Sequence, residues 1–215
     1  MFMLYNTFVK HLNKLIMKKS LMTMRMFFLG LLFISVAACS DDDDGDNGGN
    51  GNDDPNIVEV ALDTPELSAL VAALQAADGD LVNVLQGAGP FTVLAPNNAA
   101  FTAFLSENGF GSVDAVPPAV LQAILLNHVI PADVSSSDLA SLGKGYTSTS
   151  ATGAQNLPVS LYFNAETGVR FNNVSSVVSG GADVDASNGT IHIVDAVIPI
   201  PNIVDHALAN SDFNS

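Results

Sequence analysis

Charge divides this 215-residue chain at one point, its only cysteine. Lys10, Lys14, Lys18, Lys19 and Arg25 precede Cys39, and all 22 Asp and Glu residues follow it. The segment just after the divide has nothing to bury. From Ser40 to Asp54 the sequence is built only of Ser, Asp, Gly and Asn. Such a stretch cannot offset its ordering entropy, and it reads as a solvated, self-repelling linker spanning roughly 20 Å or more. Folding is therefore confined to residues 56–215, where apolar side chains return at regular spacing. With 48% of the chain apolar, that piece has material for one core.

Upstream of Cys39, Met26–Val36 is an apolar run of about eleven residues. A bilayer span takes roughly 20. Lys18, Lys19 and Arg25 lie ahead of the run and Ala37-Ala38 behind it, so residues 1–38 read as a secretory signal. Residues 1–16 are superfluous to it, because Met17-Lys18-Lys19 would begin a complete signal, and an over-extended start is expected. Val36-Ala37-Ala38-Cys39 resembles the bacterial lipobox. That resemblance implies that Cys39 is acylated, becomes the new N-terminus and anchors the chain in a membrane, leaving residues 39–55 as lipidated cysteine and linker. Ser40-Asp41-Asp42-Asp43 resembles the surface-export signal of Bacteroidota lipoproteins. It implies an outer-membrane lipoprotein exposed at the cell surface, with a periplasm-facing domain as the alternative.

Cut before Cys39, the product keeps two cations, Lys144 and Arg170, against 22 carboxylates, a formal charge of −20. No basic patch can neutralise phosphates, which excludes nucleic acid as a partner. One cysteine excludes an internal disulfide.

The folded piece opens with helical patterns. Thr64-Pro65 offers an N-cap and a proline at the first helical position, followed by Leu67, Leu70, Val71 and Leu74 on one stripe. Asp80 opens a shorter helix with Leu81, Val84 and Leu85. Phe91–Leu94 is a short strand stopped by Pro96, and Asn97 or Asn98 caps a helix carrying Phe101, Phe104 and Leu105. After Pro117-Pro118, Leu121, Ile124, Leu125 and His128 share another helical face, ending by Pro131. The period then changes to two, with Leu157, Val159, Leu161 and Phe163 alternating, and Val169 and Phe171 after a turn at Glu166-Thr167-Gly168. Asn188-Gly189 signals a two-residue hairpin loop between Ala182–Ser187 and Thr190–Ile198. Ser135-Ser136-Ser137 and Thr147–Thr152 read as solvated loops. Helices early and strands late give an α+β fold, and no repeat is present, so one domain is expected.

Two strings and a third segment between them bring a family into view. Gly89-Pro90-Phe91-Thr92-Val93-Leu94-Ala95-Pro96-Asn97-Asn98-Ala99-Ala100-Phe101 resembles the first signature of fasciclin (FAS1) domains, and Asn188-Gly189-Thr190-Ile191-His192-Ile193-Val194-Asp195 resembles the second. Between them, Leu125–Pro131 is similar to the family's helix ending in a Tyr-His pair, with Asn127 in place of the tyrosine. The resemblance covers roughly Asn56 to Asn210. It implies a wedge-shaped, helix-flanked β-structure in which Thr92, Pro96, Asn97, Phe101, Asn188, Gly189, His192 and Asp195 are structural signature positions. It also implies a non-catalytic adhesion or matrix-binding module whose partner is an extracellular protein or polysaccharide. In adhesive members an Asp-Ile pair before the second signature is associated with receptor binding. Asp183-Val184 occupies that place here, and Asn127-His128 marks a second family surface.

The residues themselves give chemistry little foothold. Three histidines, His128, His192 and His206, follow Cys39, none at metal-ligand spacing, and no EF-hand loop is present, so no metal or other cofactor is expected. No Gly-x-Ser-x-Gly elbow occurs. His192 and Asp195, three apart on a strand, point to opposite faces. A hydrolase would need activity lost with one of those histidines. A glycan-binding accessory lipoprotein is the alternative binder, although a chain without Trp has few stacking platforms for sugar rings.

Overall fold

The computed structural model describes residues 54–209. The signal segment, Cys39 and nearly all of the linker lie outside the described residues. Asn56 starts the first helix, α1 (Ile57–Asp63), through a capping box: its side chain accepts from the Val58 and Glu59 N–H groups while Glu59 accepts from the Asn56 N–H. Ile57, Val58 and Ala61 are its buried face. The expected cap at Thr64 is corrected here. Its hydroxyl donates back to the Val60 carbonyl at 2.7 Å and makes no cap bond to the turn Pro65–Leu67. That turn runs into α2 (Ser68–Ala76), which buries Leu70 and Leu74, and its first turn is held from outside. Asn98 Oδ1 accepts from the Ala69 N–H at 2.9 Å, and its Nδ2 donates to the Pro65 carbonyl. Asn97 caps the helix Asn98–Glu107 instead, so the two asparagines divide the work between two helices.

Asp80 precedes α3 (Leu81–Gln86) in a left-handed conformation without a cap bond. Leu81 and Leu85 are buried, whereas Val84 is exposed. Strand β1 (Phe91–Pro96) leads through Asn97, which accepts from the Ala100 N–H at 2.9 Å, into α4 (Asn98–Glu107). Helix α5 (Pro118–Asn127) begins on a proline and ends at His128, and β2 (Val129–Ile130), not anticipated, follows at once. The serines expected in a loop start a helix, α6 (Ser136–Leu142), with Ser135 and Asp138 as a second capping box. Thr147–Thr152 likewise belongs to a strand, β3 (Lys144–Thr152), in which Thr149 and Ala151 are buried. Then come β4 (Pro158–Asn164), β5 (Arg170–Phe171), β6 (Ser175–Ser176), β7 (Val184–Ala186), β8 (Gly189–Val194) and α7 (Ile203–Ala209).

Two four-stranded sheets result. One has the order β2-β1-β8-β7, with β1 and β8 parallel; the other is the antiparallel run β3-β4-β5-β6. The α+β expectation holds, with the qualification that β1, an early strand, pairs with β8, a late one. Being central, β1 and β8 are buried along both faces, as parallel strands generally are. Val93, Ala95, Ile191 and Ile193 face a core filled by α1 to α5. Leu94 and Val194 face a second core shared with Leu139 of α6 and with Leu161, Phe163 and Phe171 of the other sheet.

The Asn-Gly signal marks the right place for a different reason. Ala186 pairs with Gly189, so the two-residue loop is Ser187-Asn188 and Gly189 is already in the strand. A Cβ on Gly189 would lie 1.9 Å from the Phe91 carbonyl oxygen, and one on Gly89 would lie 2.0 Å from that of Asn188. Both glycines are required by the close crossing of the β1 and β8 backbones. The neighbouring Asn188 clamps two segments, the start of α1 and the end of α3. Its Oδ1 accepts from the Ile57 N–H at 3.0 Å, and its Nδ2 donates to the carbonyls of Leu85 and Gly87 at 2.7 and 2.8 Å.

Candidate interaction site

Alternation along β1 and β8 turns Thr92, Thr190 and His192 to the same side of the sheet, where the chain from Ala132 to Ser135 crosses before α6. Each of the three holds that crossing. Thr92 Oγ1 donates to the Ala132 carbonyl at 2.7 Å and accepts from the Val134 N–H at 2.8 Å. Thr190 Oγ1 donates to Asp133 Oδ1 at 2.8 Å. His192, 1% exposed, donates from Nε2 to the Val134 carbonyl at 2.9 Å and accepts at Nδ1 from the Asp183 N–H at 3.1 Å. That pair of bonds fixes the neutral tautomer.

Asp183 stands at the start of β7 with φ 53°, and its carboxylate crosses to α6. Oδ1 accepts from the Ser136 N–H at 2.7 Å and Oδ2 from the Ser136 hydroxyl. The Ser136 hydroxyl first, with its N–H adding, holds the Asp183 carboxyl below its ordinary range against a desolvation that opposes this. Asp138 is held low for a similar reason, by the Ser135 hydroxyl and N–H. Two carboxylates therefore gather at the N-terminus of α6, where the open N–H groups and the helix dipole favour negative charge. Asp183 is still 40% exposed. Val184 pairs with Ile191 and packs, half-buried, against the first core. Beside this corner an open cleft of about 460 Å³ is lined by Ala88, Gly89, Pro90, Asp133 and residues 185–190.

The second expected surface is corrected. Asn127 and His128 are 0% and 1% exposed, and their polar atoms are committed inside the fold. Asn127 Nδ2 donates to the carbonyls of Ile198 and Pro199, and its Oδ1 accepts from the Thr149 hydroxyl at 3.2 Å. His128 Nδ1 donates to the Ile124 carbonyl at 2.8 Å, and Nε2 accepts from the Ile198 N–H at 2.9 Å. Burial pushes its pKa down to about 4 against the raising effect of the Ile124 bond. The pair ties α5 to the segment after β8 and presents nothing outward.

The other singled-out residues fall into place around this frame. Phe101 is buried on α4, and Pro96 ends β1 opposite Val194. Asp195 accepts from the Ser176 N–H at 2.6 Å and so joins the two sheets. Cys39 lies outside the described residues, as does the side chain of His206. Three further residues take roles the sequence does not assign them: Thr190 reads there only as part of a signature strand, Asn98 only as a possible cap of its own helix, and Ser136 only as a loop residue. Among the described residues no group of three or more His, Cys, Asp or Glu side chains could hold a metal ion, and no helix is long and apolar enough to cross a membrane.

Fold and site thus define an α+β domain in which buried polar side chains of two parallel strands secure the loops around them. The sequence profile of the Fasciclin domain matches residues 65–201. Protein sll1483 of Synechocystis sp. (strain ATCC 27184 / PCC 6803 / Kazusa) is 40% identical over 149 residues, covering 67% of this chain and 73% of that protein. Uncharacterized protein sll1735 of the same organism is 35% identical over 144 residues, 67% of this chain and 97% of that one. A solved FAS1 domain pair from the insect cell adhesion molecule fasciclin I gives a TM-score of 0.46 at 18% identity, covering 68% of this chain and 51% of its own. The chain spans about half the length of that pair. This chain belongs to the fasciclin family. Fasciclin domains are adhesion-related and in general not enzymes, which supports an adhesion-like role in broad terms.

Proposed function

We propose that this chain is a non-catalytic adhesion or matrix-binding module, held to the outer membrane through a lipid on Cys39 and displayed at the cell surface on its acidic linker. The observation that carries the binding reading is the corner where Asp133 and Asp185 line an open cleft beside the part-exposed Asp183, while both ring nitrogens of His128 and of His192 are spent on backbone groups. An exposed polar corner on a rigid scaffold suits a weak contact with an extracellular protein or polysaccharide, multiplied over many anchored copies. The Bacteroidota type of lipoprotein rests on the residues after Cys39 alone; the relatives above are cyanobacterial.

Whole-cell attachment tests the proposal. Cells displaying the intact chain are compared with cells carrying an inert domain in place of residues 56–215 on the same anchor, surface display being checked in both. Loss of aggregation or surface attachment is expected. Asp185→Ala, which leaves the cap at Ser136 intact, should then weaken attachment if the cleft is the contact. Equal attachment by the two strains would refute the adhesive reading and send the purified protein to a carbohydrate panel.

A further inference from the structure

Asn188 precedes Gly189, and that pair carries its own chemistry. The backbone nitrogen of the following residue can attack the side-chain amide carbon of an asparagine. A bond forms from that nitrogen to Cγ, the Cγ–Nδ2 bond breaks, ammonia leaves and a cyclic imide remains. Water then opens the ring to aspartate or, on the other side, to isoaspartate. Glycine after the asparagine makes the attack easiest, because no Cβ shields the nitrogen. The described residues contain two such pairs, Asn108-Gly109 and Asn188-Gly189, and the fold treats them differently. Asn108 is exposed just past the end of α4, its Nδ2 donating only to the Phe104 carbonyl of its own helix, and nothing lies within 4 Å of the position a Cβ on Gly109 would take. Asn188 is half-buried, its side chain held at both ends by two segments, with Gly189 pressed against Phe91.

We propose that Asn188 is a latent modification site, a reactive Asn-Gly pair kept unreactive by its own clamp, whose conversion locks the clamp open. The attack requires the side chain to swing out of its bonds to Ile57, Leu85 and Gly87, so it proceeds only while this corner is open. Once converted, the site cannot reclose as before. An aspartate sets a carboxylate oxygen against the Leu85 and Gly87 carbonyls, where the amide had donated. An isoaspartate adds a methylene to the backbone, and the β1–β8 crossing has no room for one. The site would record openings of the domain irreversibly.

The two pairs provide an internal control. The purified full chain is incubated in mildly alkaline buffer, folded and in strong denaturant, and peptide mapping by mass spectrometry follows both conversions. In the folded protein Asn108 should convert at least about tenfold faster than Asn188, since the latter must await a local opening; in denaturant the two rates should converge. Equal rates in the folded protein would overturn the proposal, and so would a persistent lag at Asn188 in denaturant, which would assign the lag to neighbouring sequence. Ile57→Pro removes the N–H that Asn188 accepts, at a helix position where proline is tolerated, and should narrow the gap. Asn188→Asp should melt at a lower temperature than the parent, and an unchanged melting point would mean that conversion opens nothing.

Discussion

The two sheets are held together by different means. The sheet β3-β4-β5-β6 takes its strands in sequence order, and its residues alternate between a core that includes Leu161, Phe163 and Phe171 and an outer face. Backbone ladders and apolar side chains carry most of the pairing there, with the buried Asn172 adding a bond from the Tyr162 N–H, since each strand finds its neighbour nearby in the chain. The sheet β2-β1-β8-β7 joins residues about a hundred positions apart, so that loop-closure entropy opposes the pairing more strongly. Here the fold adds polar side chains that reach across the chain to backbone groups: Thr92 and His192 to the strap before α6, Asn98 to α2, His128 to the Ile198 N–H, Asn188 to two segments at once. The contrast teaches that local strands lean mainly on apolar burial, while distant ones draw more on directional bonds from far along the chain. Both fasciclin signatures lie on the second kind of sheet.

The largest expected effect breaks the contrast at its glycines. Gly189→Ala puts a methyl into the Phe91 carbonyl, which is backbone and cannot yield, whereas Gly145→Ala on β3 meets only the ring edge of Phe163 at 3.0 Å. Gly189→Ala should cost at least about 4 kcal/mol or abolish folding, and Gly145→Ala about 1–2 kcal/mol. Chemical denaturation of both variants decides, and similar costs would erase the distinction. Next in size is acid. His128 is buried neutral with its pKa lowered from 6.5 to about 4, so the folded state binds fewer protons than the unfolded one between those values. Its contribution is complete above pH 6.5 and is lost as the pH falls to about 4, roughly 3 kcal/mol in all. Stability measured against pH in the parent and in His128→Gln should show the slope only in the parent.

Thr92→Val conserves shape but strands the Val134 N–H and the Ala132 carbonyl, and should cost about 1–3 kcal/mol. Ser160→Val on the exposed face of β4 should change stability by no more than about 0.5 kcal/mol; a comparable loss at both positions would show that hydroxyl bonds are not what sets the first sheet apart. The smallest effect sharpens the view of the corner. Asp183→Asn keeps the shape but gives up a carboxylate at the N-terminus of α6, and should destabilise by under about 1 kcal/mol, less still at high salt. A salt-independent loss would mean that shape, and not charge, holds the helix.

What could be read in advance follows from range. Leu67, Leu70 and Leu74, or Val159, Leu161 and Phe163, repeat at short intervals and announced their elements by period alone. Helix α1 went unread, although Asn56 with Glu59 three residues on is a capping-box pattern; Thr64-Pro65 drew the start instead. Strand β2, with two residues, and β3, rich in Ser and Thr, carry too weak a pattern to register. Asp183-Val184 and, less strongly because of the missing tyrosine, Asn127-His128 were candidate surfaces on paper, because nothing local distinguishes a side chain facing solvent from one that satisfies distant carbonyls. The structure leaves Asp183 partly exposed and buries the other pair completely.

By itself the sequence determined that apolar periodicity returns from Asn56, that the domain is α+β, and that two distant strings belong to one family. Charge run, period and motif are properties of neighbouring residues, and neighbours are what a sequence displays. Only the tertiary structure decided that β1 lies parallel to β8, that Asn188 is a clamp as well as a turn residue, that His128 and His192 are buried pins, and that Asp183 caps α6 from 47 residues away. Those outcomes depend on which buried donors and acceptors meet when the chain closes, and each must find a partner somewhere, since leaving one unpaired costs more than the bond itself contributes.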